Sequence, residues 1–145
     1  MPDVRPDLRD RDDLDIVLRA FYERAFDDAL IGPVFRDVAK MDLDEHLPVI
    51  GDFWQKVLLG TGEYRGSTME VHRRLNRLER LTPEMFERWL AIWWATLDER
   101  HSGRVTEQAK AQATRIAGAI QRNIVAAETG LGAGRAELPI VPRRR

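Results

Sequence analysis

Residues 67–97, STMEVHRRLNRLERLTPEMFERWLAIWWATL, decide the fold class. The stretch contains two helix starts of different design. Ser67-Thr68-Met69-Glu70 fits a capping box, in which a hydroxyl oxygen and a glutamate carboxylate reciprocally satisfy two unpaired amides. The helix it opens is expected to bury Val71, Leu75 and Leu78. Thr82-Pro83 opens the next helix, with threonine as cap and proline at the first helical position, where its missing N–H is not needed. Phe86, Trp89, Leu90, Trp93 and Leu97 then recur along one side at three- and four-residue spacing.

The same period continues in both directions. Upstream, Leu14, Val17, Leu18, Phe21, Tyr22 and Ala25 mark a helix that begins at Asp12, the expected cap. Ile31-Gly32-Pro33 breaks it and opens a short turn over residues 34–38. Asp42 or Asp44 starts another helix, with Leu43, Leu47, Ile50, Phe53, Trp54, Val57 and Leu58 as its apolar stripe and Gly60-Thr61-Gly62 as its stop. Pro48 should make that helix start late or kink, because proline disfavours a helical residue before it. Downstream of Ser102-Gly103, Val105, Ala109, Ala113, Ile116, Ile120 and Ile124 form a narrow stripe flanked by small residues, suited to close helix packing. No segment alternates with period two and no internal repeat is visible. One all-α domain over residues 12–128 is expected, between flexible tails at 1–11 and 129–145.

Bulk properties exclude several classes. The 145 residues carry 23 Lys plus Arg against 24 Asp plus Glu, a net charge of -1, so there is no global attraction to nucleic acid or anionic lipid. With no cysteine there is no disulfide, thiolate metal site or thiol nucleophile. The N-terminus does not read as a signal peptide and no apolar run reaches the ~20 residues of a membrane span, so a cytoplasmic location without membrane partners is expected. Gly130-Leu131-Gly132-Ala133-Gly134 lacks the spacing and context of a dinucleotide loop.

Chemistry rests on few residues. The three histidines are His46, His72 and His101. On spacing alone, His72 reads foremost as a core or half-exposed histidine bonded to a carbonyl, with a metal or haem ligand as the lesser reading, since axial ligation leaves no local signature. Phe53-Trp54, Trp89 and Trp93-Trp94 supply large flat surfaces that either build a core or line a cavity for a flat apolar ligand. The run from His72 to Arg80 contains four arginines and reads as a solvated outer face, or as a phosphate-contacting helix.

Taken in order, these residues resemble a known family. Phe21-Tyr22, then Gly32-Pro33-Val34-Phe35, then His46 with Ile50-Gly51-Asp52-Phe53-Trp54 resemble the distal half of the group III truncated haemoglobins. Leu58 to Gly66, LLGTGEYRG, resembles their link to the proximal side, and His72 with Phe86-Glu87-Arg88-Trp89-Leu90 completes the match, which covers roughly residues 14–122. The resemblance implies a truncated globin-like fold holding haem b, with His72 as the iron ligand. Phe35, Ile50, Phe53, Trp54 and Leu75 would be porphyrin walls, and Tyr64 or Arg65 a propionate partner. Tyr22, His46 and Trp89 match the family's distal trio, which would stabilise the partial negative charge of bound dioxygen. Pro48, two residues after His46, is expected to delay or kink the helix and swing His46 out of the pocket, and His101 is expected on the surface. The ligand would be dioxygen or another small diatomic. Whether the chain is an enzyme stays open, since nitric oxide or peroxide turnover would need an external reductant or reductase partner. Two alternatives stand beside this reading: a metal-dependent helical enzyme using all three histidines, and a non-catalytic interaction module built on the arginine-rich helix.

Overall fold

The computed structural model describes residues 4–64 and 68–129. They form five α-helices: α1 (Arg11–Asp27), α2 (Leu43–Trp54), α3 (Thr68–Leu78), α4 (Pro83–Arg100) and α5 (Arg104–Thr129). Two single π-helical turns join them, Val34–Val38 before α2 and Gln55–Leu59 directly after it. There is no strand among the described residues. No helix among them is long and apolar enough to cross a membrane.

The packing follows from the apolar stripes. α1 lies against α2 and α4, and α5 lies against α4, α3 and the Gln55–Leu59 turn. Leu14, Val17, Leu18 and Phe21 of α1 meet Trp93 and Leu97 of α4 in one core, with Ala109, Ala113, Ile116 and Ile120 of α5 behind them. Trp93 is the centre. It stacks on Trp54 with ring centroids 5.0 Å apart, meets Phe21 edge-on at 5.3 Å, and donates its indole N–H to the Ala109 carbonyl at 3.2 Å. Each aromatic pair is worth about 0.5–1.5 kcal/mol beyond the area it buries. Ala109 and Ala113 are fully buried, and their small side chains let α4 and α5 approach closely. Trp94 packs half-buried at the edge of this core, under the ammonium of Lys110.

The helix ends are mostly those the sequence encodes. Thr82 caps α4 by accepting from the Met85 amide at 3.3 Å, with Pro83 as its first residue. Gly60 ends the helical run from α2 at φ 73, a left-handed conformation that glycine adopts without strain. Ser67 of the expected capping box lies outside the described residues, as do residues 130–145 of the expected C-terminal tail.

Four expectations are corrected. First, α1 is capped by Asp10 rather than Asp12, through the Asp13 amide at 3.1 Å. Second, residues 6–10 are not loose. Leu8 is buried in the core, and the Asp7 carboxylate accepts from the amides of Val105 and Thr106, at 2.9 and 2.8 Å, and from the Thr106 hydroxyl at 2.7 Å. Asp7 thus caps α5 from nearly a hundred residues away. Third, His101 is buried rather than superficial. Its Nδ1 lies 3.0 Å from the Pro6 carbonyl, which also accepts from the Ser102 amide.

Fourth, Pro48 neither delays nor ends α2. Asp42 caps its first turn by accepting from the Glu45 amide at 3.3 Å, which starts the helix ahead of the proline. Arg11 braces the second turn. Its guanidinium donates to the Pro48 carbonyl at 3.1 Å, to Asp52 at 2.9 Å and to Gln55 at 2.7 Å. This brace ties the turn that follows the proline to α1.

Candidate functional site

One cavity of about 540 Å³ lies between α2, α3 and α4, floored by α5 and closed on one side by the Val34–Val38 turn. That volume is within the range of roughly 300–1,000 Å³ typical of small-molecule and cofactor sites. All ten residues singled out from sequence line it: Tyr22, Phe35, His46, Ile50, Phe53, Trp54, Tyr64, His72, Leu75 and Trp89.

His72 is the most constrained of them. Its Nδ1 lies 2.7 Å from the Thr68 carbonyl one turn earlier. A carbonyl can only accept, so Nδ1 carries the proton and Nε2 is left with its lone pair. Burial lowers the His72 pKa, and the bond to Thr68 offsets part of that shift. The ring is therefore a neutral imidazole near neutral pH, which is the form that coordinates a metal.

α3, which carries His72, differs from the other helices: it buries none of its residues. Val71, Leu75 and Leu78 were expected in the core, but they line the cavity instead, with Leu78 70% exposed. The apolar stripe of α3 is present as its period predicts, but its partner is the cavity and not the core. Polar bonds to α5 tie the helix down on its other side. Arg73 donates to Asn123 at 2.6 Å, and Asn76 donates to Glu128 at 2.7 Å. The arginine run is thus only partly a solvated face: Arg73 and Arg80 are engaged with α5, and Arg74 lines the cavity.

Tyr22 is 8% exposed, and its ring packs edge-on against Phe21 at 4.7 Å and Phe35 at 5.7 Å. Its hydroxyl forms no hydrogen bond with any described residue, yet it is not among the fully enclosed unpaired atoms, so it is reachable from the cavity. Burial pushes its pKa upward, and the hydroxyl stays protonated as a donor. Trp89 is half-buried and meets Phe21 edge-on at 5.8 Å; its indole N–H likewise has no partner among the described residues. His46 sits exposed at the mouth, with Nδ1 3.0 Å from the Asp42 carbonyl. As a neutral ring it therefore offers an acceptor at Nε2, not a donor. The Tyr64 hydroxyl is already bonded to Thr68 Oγ1 at 3.1 Å, and Arg65 lies outside the described residues.

Several cavity residues escaped the sequence reading. Met85, Phe86, Ile116 and Ile120 belong to stripes that also build the core, and periodicity does not tell a core wall from a cavity wall. Arg74 was hidden in the basic run. The signal that locates it is its place between Val71 and Leu78, three and four residues away on the same helix face. The three histidines do not converge: His46 and His72 line the cavity, while His101 is buried beneath Pro6. No cluster of three or more His, Cys, Asp or Glu suited to a metal occurs among the described residues, which removes the three-histidine alternative.

No family model matches the sequence. Residues over a span of 85 are 32% identical to the Group 3 truncated hemoglobin ctb of Campylobacter jejuni subsp. jejuni; the match covers 57% of this chain and 65% of that protein. The fold matches a crystal structure of group III truncated hemoglobin from Campylobacter jejuni with a TM-score of 0.73 at 26% identity, over 83% of this chain and 95% of the other. The sequence match and the fold match agree: in both, this chain is similar to a group III truncated haemoglobin.

Proposed function

We propose that the cavity holds haem b with His72 as the protein's ligand to the iron, and that the chain binds dioxygen or another small diatomic there. The observation that carries this reading is a neutral imidazole of fixed tautomer and the unpartnered, cavity-facing hydroxyl of a buried tyrosine in one apolar cavity. When bound, the haem supplies an iron able to take up such a ligand. The residues fit the group: Phe35, Ile50, Phe53, Trp54 and Leu75 offer flat and aliphatic walls, and the apolar face of α3 is already turned inward.

The chain's own residues then divide the work. Thr68 accepts the Nδ1 proton of His72, which orients the ring and raises the basicity of Nε2. Tyr22 and Trp89 provide donors towards a ligand that carries partial negative charge, and a bond of that kind contributes roughly 1.5–3 kcal/mol. His46 at the mouth is an acceptor while neutral, suited to a water or to an approaching O–H. The surrounding apolar side chains keep water from the site. Nitric oxide or peroxide turnover is the finer form of this reading. It would draw electrons from a separate reductase partner, and the same donors would polarise an O–O bond.

The test is the visible absorption spectrum of the full chain purified with haem supplied, beside His72→Ala. A Soret band in the wild type that is lost or strongly altered in the variant is the expected result. A wild type without a Soret band refutes the haem reading.

A further inference from the structure

We propose that Asn123 of α5 is a positioning residue for His72: acting through Arg73, it fixes the register of α3 and so the direction in which the imidazole Nε2 points. The inference rests on the haem reading, and it names what holds the iron's protein ligand in place.

The first observation is how little packing holds α3. None of its residues is buried, and its apolar face meets the cavity rather than another helix. Apolar contacts are non-directional, and on this face they have no protein opposite them, so they set no register. Directional bonds are left to set it, and the residues that make them lie one turn apart. Arg73 donates to Asn123 Oδ1 at 2.6 Å, and Asn76 donates to Glu128 at 2.7 Å. The two anchors are unequal. Glu128 has a side chain one-third exposed, whereas Asn123 is only 4% exposed. The bond to Asn123 is therefore formed away from water, where a charge-assisted hydrogen bond is strongest. Glu70 holds the other nitrogen of the same guanidinium at 2.7 Å, which fixes the fork that reaches across to α5. Arg73 is the residue next to His72, so a shift of its anchor is a shift of the imidazole.

The second observation is the cost of Asn123. A guanidinium can only donate, so the atom it meets is the amide oxygen, and Nδ2 is left over. That Nδ2 is enclosed and has no partner, alone among the side-chain nitrogens and oxygens of the described residues. A buried donor without a partner opposes folding. Between Ile120 and Ile124, both buried, an apolar side chain would be the better choice if packing were all that the position required. What the amide contributes instead is the acceptor for Arg73.

The experiment compares wild type, Asn123→Leu and Asn123→Asp as full chains. Leucine removes the acceptor and the unpaired Nδ2 together, and aspartate keeps the acceptor. Hydrogen exchange reads α3 directly and does not depend on haem. In Asn123→Leu the α3 amides should exchange about tenfold faster, as for one lost charge-assisted bond, while α1 and α4 keep their wild-type rates. In the haem-loaded ferrous protein the iron–histidine stretching band in resonance Raman should shift or broaden. Asn123→Asp should leave both as in wild type. Arg73→Met breaks the same bond from the partly exposed side; it should reproduce the effect, and the double variant should be no worse than Arg73→Met alone. Unchanged α3 exchange in Asn123→Leu and Arg73→Met overturns the inference. So does faster exchange spread evenly over all helices, or a stretching band that stays in place while α3 loosens; either marks Asn123 as merely structural. A wild type without a Soret band removes the haem reading and the role of His72 with it, whereas exchange still decides whether Asn123 holds α3.

Discussion

Tyr22→Phe separates the cost of the distal hydroxyl from its use. Phenylalanine keeps the ring, so the edge-on contacts with Phe21 at 4.7 Å and Phe35 at 5.7 Å survive. What is lost is one O–H that has no partner among the described residues, on a residue only 8% exposed. A poorly solvated hydroxyl without a partner opposes folding, and removing it is neutral or favourable. The variant is therefore expected to be as stable as wild type or more stable by up to ~1 kcal/mol, a rise in Tm of no more than about 4 °C for a chain of this length. Ligand release should respond the opposite way. Loss of a donor to a partly charged ligand, roughly 1.5–3 kcal/mol, speeds dissociation by about one to two decades. The assay pairs stopped-flow displacement of dioxygen with thermal melts at equal haem saturation. An unchanged off-rate removes Tyr22 from contact with the ligand. A variant less stable than wild type by more than about 1 kcal/mol refutes the reasoning differently, by showing that the hydroxyl has a protein partner after all.

The N-terminal strap and the glycines give two further tests. Asp7→Ala removes the α5 cap and strands the Thr106 hydroxyl, which is fully buried; a loss of about 2 kcal/mol in urea unfolding is expected, against none for a loose tail. Partial burial raises the Asp7 pKa, but hydrogen bonds from Val105, Thr106 and Leu8 outweigh it and hold the carboxyl below 3.8. Its stabilising effect is thus present above the unfolded value and lost as pH falls through the folded one, so wild type and variant should converge in acid. Alanine in mid-helix normally gains ~1 kcal/mol over glycine. Gly118→Ala in α5 should show most of that gain, since the new Cβ meets only the Arg122 tip at 3.3 Å. Gly51→Ala in α2 should show none or a loss, because its Cβ would come within 2.6 Å of the Arg11 guanidinium and displace the brace on Pro48, Asp52 and Gln55. Equal stabilisation of the two in chemical denaturation would mean that the brace contributes nothing.

Local features of the chain were enough to establish the helices and most of their caps. The apolar period, Thr82-Pro83, Asp42 and Gly60 act within one turn of the backbone, so a linear reading reaches them. The ten residues that line the cavity were named through a family resemblance, carried by their order along the chain, rather than through chemistry visible in any one segment. What the linear reading missed involves partners distant in the chain. Asp7 looks like part of a charged tail until α5 is placed beside it, and Pro48 looks like a helix breaker until Arg11 lies across the turn. The α3 stripe looks like core, because periodicity records that a face is apolar and not whether it meets protein or a cavity. Neither His72 nor His101 carries a local signature of its role. Only the tertiary structure sends one into the cavity with a free Nε2 and seals the other beneath Pro6, because a ring's role is set by what its two nitrogens face.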